Sequence, residues 1–241
     1  MFRIALDAGH GYNTTGKRCD IKIDSKQTRE WTLNSRICNK IEQRLKEYEG
    51  YELIRVDDTT GKTDVSLETR VAKANGFSAD FYLSIHHNAG INGGSGGGVV
   101  AYVYPYTDEL TRAWEKDLYD AVIKYTGLKG NRATPINKAD FYVLRETYMP
   151  AVLIECGFMD STTDVPIILT ESFADNVAEA CVEVIVKRGG LTKKKVTQPT
   201  TETKKLYRVQ VGAYGVKANA EKMRDKLKAN GYDAIIVEVN V

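Results

Sequence analysis

The chain contains only three histidines, and each follows a short apolar segment. His10 ends the stretch ALDAGH, while His86 and His87 lie side by side in LSIHHNA. Zinc binds histidine nitrogen and carboxylate oxygen, and a catalytic zinc site has three protein ligands and one open position. Histidines at the ends of two separate strands could therefore share a metal ion. The simpler interpretation of any one of them is a structural histidine.

A third ligand should be either a carboxylate or His87. Glu30, in QTREWTLN, opens the first long helical pattern. A helix that packs back on the first strand brings its N-terminal turn near a strand end. The alternative is that Glu30 is a solvated carboxylate that interacts favourably with the helix dipole. The chain has no H-E-x-x-H motif, so spacing alone leaves both interpretations open.

A second carboxylate stands at the end of an apolar run. Glu155 follows Ala, Val, Leu and Ile in AVLIECGFM. A charge in such a run is costly unless it has a partner or a task, and desolvation there raises a carboxyl pKa towards the range of a general base. Glu155 could thus accept a proton from water and return it to a leaving amine. The structural alternatives are a salt bridge and an exposed glutamate at a strand end.

The elements that must position these residues alternate along the chain. Apolar strand-like segments such as FRIALDAG and PAVLIECGFM alternate with helical patterns, of which the first carries Leu33, Ile37, Ile41 and Leu45. Such alternation predicts an α/β fold with an open, largely parallel twisted sheet flanked by helices. Functional residues gather beyond the carboxyl ends of strands in sheets of this kind, and the candidate residues stand at such ends.

Composition restricts the classes of function. The chain has 241 residues and a net charge of +2, which does not indicate a nucleic-acid partner. No apolar run approaches the roughly 20 residues that cross a bilayer, so we expect no membrane insertion. The start MFRIALDAGHG has no basic segment or cleavage site, which predicts synthesis in the cytoplasm without a signal peptide. The four cysteines form no C-x-x-C pair and predict no disulfide framework.

A change of composition predicts the domain organisation. The stretch GGLTKKKVTQPTTETKK is rich in Lys and Thr and contains almost no apolar residues, which is typical of a linker. We therefore predict a catalytic domain over residues 1–188, a linker over 189–205 and a small βαβ module over 206–241.

Four motifs in order, LDAGHG, REWTLN, SIHHNA and VLIECGFM, resemble the zinc-dependent N-acetylmuramoyl-L-alanine amidases of the Amidase_3 type over about residues 2–187. The resemblance implies that His10, Glu30 and His86 bind Zn²⁺ and that His87 does not. It implies that Glu155 is the catalytic glutamate. It further implies a bacterial or phage enzyme that cuts peptidoglycan between N-acetylmuramic acid and the first L-alanine of the stem peptide.

Segments that border this predicted site offer two candidate substrate contacts, Asn88 and Arg145, for which a structural role is an equal alternative. The activity predicted is that of an autolysin or a phage or prophage endolysin, acting on the wall after lysis or release. A related zinc peptidase that cuts within the stem peptide is the alternative. A binding protein that has lost activity would have no need of Glu155 and three complete ligand positions.

The C-terminal stretch YRVQVGAYGVKANAEKMRDKLKANGYDA resembles the SPOR repeat, with VQVGAY at its core. That resemblance implies binding to glycan strands that lack stem peptides. The strand–helix–strand unit is half of a whole SPOR domain, and so short a unit is poorly able to form its own core. One hypothesis is a homodimer that pairs two halves; docking on the first domain and weak binding are the others. Tyr207 and Tyr214 could instead stack RNA bases, but no basic aromatic motif accompanies them.

Overall fold

The computed structural model describes residues 1–194 and 209–239, and the chain divides into two compact units, Met1–Lys195 and Val196–Val241. The described strands are β1 (Phe2–Ala8), β2 (Tyr48–Glu49), β3 (Tyr51–Arg55), β4 (Phe81–Asn88), β5 (Val100–Val103), β6 (Ile136–Lys138), β7 (Ala151–Phe158) and β8 (Thr192–Lys193). The described helices are α1 (Glu30–Leu45), α2 (Leu67–Gly76), α3 (Glu109–Thr126), α4 (Tyr142–Arg145), α5 (Val165–Ile168), α6 (Glu171–Gly189) and α7 (Lys217–Ala229).

The main sheet of the first unit has six strands in the order β3-β1-β4-β7-β5-β6. Neighbouring strands are parallel except β5 and β7, which are antiparallel. No helix lies between β4 and β5. Strand β5 therefore starts near the end of the sheet where β4 finishes, and it runs antiparallel to β4 and β7. The prediction of an α/β fold with a largely parallel sheet is confirmed.

Two apolar clusters cover the two faces of this sheet. Ile4 and Leu6 of β1 belong to the cluster that includes residues of α1, α3 and α6, while Ala5 between them belongs to the cluster that includes residues of α2 and α4. This alternation follows from the period of two along a strand. Buried on both faces, the central strands carry the near-continuous apolar runs seen in the sequence.

Helix α1 is positioned by the apolar stripe that the sequence predicted. Leu33, Ile37, Ile41 and Leu45 are all buried and recur at helical spacing. Their burial against the sheet orients the helix so that its first residue, Glu30, comes close to the carboxyl end of β4. One helix face therefore determines where a candidate ligand stands.

The folded first unit extends beyond the predicted boundary at residue 188. Gly189 is the last residue of α6, and Gly190 caps that helix with a φ of 65°. Residues Thr192–Lys193 then pair antiparallel with Tyr48–Glu49. The first residues assigned to the linker thus form the end of α6 and a short strand, because the edge of β2 offers backbone hydrogen bonds that composition does not reveal. The remainder of that linker, residues 195–205, lies outside the described residues.

In the second unit the predicted helix is present as α7, but residues 209–239 contain no strand. A strand needs a neighbour to pair its backbone groups, and the segments on either side of α7 do not pair with each other. The predicted βαβ arrangement is therefore not formed in this part of the chain, and Tyr207 lies outside the described residues. Among the described helices, none is long and apolar enough to cross a membrane.

Candidate active site

Three of the predicted residues converge at the carboxyl edge of the sheet. His10 follows β1, Glu30 starts α1 and His86 lies near the end of β4. Each offers one ligand atom, and these atoms lie within 4.8 Å of one another. The Glu30 carboxylate bridges the two rings, with Oε1 3.0 Å from Nδ1 of His86 and Oε2 3.4 Å from Nε2 of His10. This is a compact set of two imidazoles and one carboxylate.

The backbone between β1 and His10 makes this approach possible. The Gly9 N–H donates to the Ile85 carbonyl at 3.0 Å, which continues the pairing of β1 with β4. A Cβ at Gly9 would stand 2.0 Å from the His86 ring, so only glycine fits. His10 then leaves the strand in the left-handed region, with a φ of 67°. Gly9 of LDAGHG is thus explained by close packing against His86, whereas a Cβ at Gly11 would meet the backbone of Asp64 at 2.7 Å.

The protonation and hydrogen bonding of the trio fit a divalent cation. Glu30 is fully buried, and its Oε2 has no hydrogen-bond partner in the described part of the chain. Burial alone would raise its pKa, but the hydrogen bond and charge of His86 lower the pKa to about 2. Burial lowers the pKa of His10 to about 4, which leaves its nitrogen lone pair free. A buried anion beside the free nitrogen of His10 suits zinc.

Glu155 stands beside this trio, in register with His86 on the neighbouring strand. Its Oε2 is buried without a hydrogen-bond partner, and Glu155 forms no ion pair within the described residues. Burial raises its pKa to about 7, against the opposing charge of His86. A carboxyl group with this pKa exchanges a proton readily near neutral pH.

His87 and the two candidate substrate contacts lie outside the trio. The ring of His87 is buried and forms a hydrogen bond with the side chain of Asn34. Asn88 ends β4, and its side chain accepts from the Ala89 N–H at 2.8 Å. Arg145 pairs with Asp140 and Glu146 at the surface. None of these three belongs to the metal-ligand cluster, and a substrate contact of Asn88 or Arg145 stays a prediction.

A buried ion pair beneath His10 escaped the sequence analysis. The Arg70 Nη1 donates to the Asp7 carboxylate and to the Ala8 carbonyl, the latter at 3.0 Å. Its Nη2 donates to the His10 carbonyl at 3.0 Å. Burial would raise the pKa of Asp7, but the charge of Arg70 lowers it. The signal was present in the sequence, because Asp7, like Glu155, is a charge within an apolar run.

Asp7 also accepts two hydrogen bonds from β4. The Ser84 hydroxyl donates to its Oδ2 at 2.7 Å and the Tyr82 hydroxyl does so at 2.9 Å. The carboxylate is thereby satisfied on both sides, and it joins the strand that carries His86 to the turn that carries His10. This network stabilises the backbone beneath the two histidines.

Two family models match the chain. Residues 4–187 match Amidase_3, described as N-acetylmuramoyl-L-alanine amidase, and residues 191–240 match the SPOR domain. A sporulation-specific N-acetylmuramoyl-L-alanine amidase of Bacillus subtilis (strain 168) is 33% identical over 240 residues, which cover 98% of this chain and 85% of the relative. An endolysin of Bacillus phage SPP1 is 32% identical over 210 residues, covering 83% of this chain and 73% of the endolysin.

Solved structures show the same likeness. The catalytic domain of CwlV, an N-acetylmuramoyl-L-alanine amidase from Bacillus (Paenibacillus) polymyxa var. colistinus, aligns with a TM-score of 0.70 at 26% identity, over 80% of this chain and 100% of that domain. An N-acetylmuramoyl-L-alanine amidase from Clostridium difficile 630 aligns with a TM-score of 0.69 at 28% identity, over 77% of this chain and 95% of that one.

Proposed function

Since the chain belongs to the Amidase_3 family of N-acetylmuramoyl-L-alanine amidases, we propose that His10, Glu30 and His86 hold its zinc ion and that Glu155 moves the proton. The protein is a peptidoglycan hydrolase that cleaves the amide between N-acetylmuramic acid and the L-alanine of the stem peptide. The observation that carries the residue assignment is the convergence of the three ligand atoms within 4.8 Å.

Zinc bound by this trio would polarise the substrate carbonyl and lower the pKa of a bound water towards about 7. The residues themselves prepare the site for that chemistry. Glu30 supplies the negative charge, and the Oε2 that lacks a partner is free to bind a cation. Neutral His10 supplies a nitrogen lone pair. His86 is held by Glu30 at 3.0 Å, which fixes the ring before a metal arrives.

Glu155 carries the proton in this proposal. Its carboxylate accepts a proton from the attacking water as the C–O bond forms at the amide carbon. The same group then gives that proton to the nitrogen as the C–N bond breaks, which releases the amine of L-alanine and leaves the carboxyl group on the sugar. A pKa raised to about 7 suits both steps, because the group is neither a strong acid nor a strong base near neutral pH.

The experiment that tests this function is mass spectrometry of soluble products from purified peptidoglycan, with and without a chelator. We expect free stem peptides that start at L-alanine, lost on chelation and restored by zinc. Fragments cut inside the stem would instead establish a zinc peptidase. An absence of products from zinc-loaded protein would leave only a binding protein.

The C-terminal unit matches a SPOR domain, and SPOR domains bind peptidoglycan. We propose that its ligand is the glycan strand stripped of stem peptides, which is the polymer that the first unit produces. The enzyme would thereby stay on a strand that it has already processed. Both an autolysin and an endolysin act at the cell wall, so we place the action there, after release from the producing cell.

A second copy of the chain is the proposed partner of the C-terminal unit. Helix α7 has no buried residue, and apolar side chains on both sides of it are exposed, among them Val209, Ile235 and Val239. Pairing two copies would cover this surface. We expect light scattering to give twice the monomer mass for the full chain and a monomer for residues 1–194. A monomeric full chain at micromolar concentration would contradict the proposal.

A further inference from the structure

One carboxamide links the three segments that carry the proposed metal ligands. Asn34 lies on α1, one turn after Glu30, and is fully buried. Its Nδ2 donates to the Gly9 carbonyl at 3.0 Å, directly before His10. Its Oδ1 stands 2.8 Å from Nδ1 of His87, directly after His86. A single side chain therefore contacts the immediate neighbours of both histidine ligands and shares a helix with the third ligand.

The donor and acceptor roles in this arrangement follow from the carbonyl of Gly9. A carbonyl oxygen only accepts, so the atom of Asn34 that faces it is the amide nitrogen, and the oxygen must face His87. His87 therefore carries its proton on Nδ1 and donates it to Asn34. The backbone N–H of His87 also donates to Oε1 of Glu30 at 3.2 Å. Ring and backbone of His87 thus both contact α1.

Packing alone does not account for this polar pair. The Nε2 of His87 is buried and has no hydrogen-bond partner among the described residues. Leaving such an atom unpaired in the interior destabilises the fold. An apolar pair of similar volume would fill the space without that penalty. The hydrogen bond between His87 and Asn34 therefore indicates a role beyond packing.

We propose that Asn34 and His87 are positioning residues that set the spacing of His10, Glu30 and His86 before zinc binds. The inference rests on the proposed function, because it assumes that the trio holds the metal. The three ligands come from segments far apart in the chain, and each hydrogen bond of the bridge removes freedom from one segment relative to another. Bridging contacts behind metal ligands orient them and strengthen metal binding.

The test uses two substitutions of His87 in the full chain, with metal-free protein titrated with zinc against a chromogenic chelator. His87→Asn places an amide N–H where Nδ1 stands, whereas His87→Gln extends the amide to the position of Nε2, which has no partner. We expect zinc affinity within about threefold of the parent for His87→Asn and a loss of about 10- to 100-fold for His87→Gln. The visible absorption of the Co²⁺ form should change only in His87→Gln.

A third variant, Asn34→Asp, keeps the test decisive if His87→Gln does not fold. Asn34→Asp retains an acceptor for His87 but replaces the donor to Gly9 with an oxygen, so about the same 10- to 100-fold loss is expected. Parental zinc affinity in both His87→Gln and Asn34→Asp would contradict the positioning role. Equal losses of zinc affinity in His87→Asn and His87→Gln would contradict it as well. If the parent itself binds no zinc, the proposed function is wrong, and so is the positioning role of Asn34 and His87.

Discussion

Glu155→Gln is expected to lower turnover by about 100- to 10,000-fold, the range that general acid–base catalysis contributes. Glutamine has nearly the same shape but can neither accept the proton from water nor return it to the amine. Glu155 is outside the ligand trio, so zinc affinity should stay within about threefold of the parent. Rates of stem-peptide release by mass spectrometry, together with zinc titration of the same preparation, measure both quantities.

Glu115→Gln is the matched control for this result. Glu115, on α3, is also a buried glutamate, and burial raises its pKa to about 7 as well. It is not part of the metal-ligand cluster. The control should retain parental turnover. This result would show that the loss in Glu155→Gln is specific to Glu155 and does not follow from removing a buried carboxyl group elsewhere in the fold. Parental rates in Glu155→Gln would show the proposed mechanism to be wrong.

The pH profile checks the same residue without a substitution. Proton acceptance needs the ionised carboxylate, and burial raises the pKa of Glu155 to about 7. The value of kcat/KM should therefore fall as the pH is lowered through about 7. Measurements between pH 5 and 9 would reveal this limb, and a flat profile there would contradict the role of Glu155.

Arg70→Met is expected to lower the free energy of unfolding by about 3–5 kcal/mol, the usual effect of breaking a buried ion pair by removing one partner. Asp7 would stay buried with a charge that only Ser84 and Tyr82 still hydrogen bond. The carbonyl of His10 would also lose its donor. Urea unfolding of the metal-free protein measures the loss without interference from zinc.

Two further variants identify the cause of that loss. Adding Asp7→Leu to Arg70→Met should recover part of the stability, because the uncompensated charge is then removed. Lys116→Met breaks an exposed pair with Asp120 and should cost less than about 1 kcal/mol. Equal losses in Arg70→Met and Lys116→Met would mean that the Asp7 pair contributes no more than a surface contact.

The sequence by itself determined the α/β class and the residues that could do chemistry. Apolar periodicity is a local property, so the pattern of Leu33, Ile37 and Ile41 sufficed to predict α1. Glu155 was visible because a charge inside an apolar run is costly without a task. The sequence also shows a glycine directly before His10, and the structure packs the His86 ring against it.

Only the tertiary structure decided how these residues meet and what supports them. Arg70 is 63 residues from Asp7, and Asn34 is 53 residues from His87. The antiparallel course of β5 and the pairing of Thr192–Lys193 with Tyr48–Glu49 were equally invisible. The physical reason is that these contacts depend on strand register and on which element packs on which face. Those choices are made by burial over the whole domain, and no local pattern of residue types encodes them.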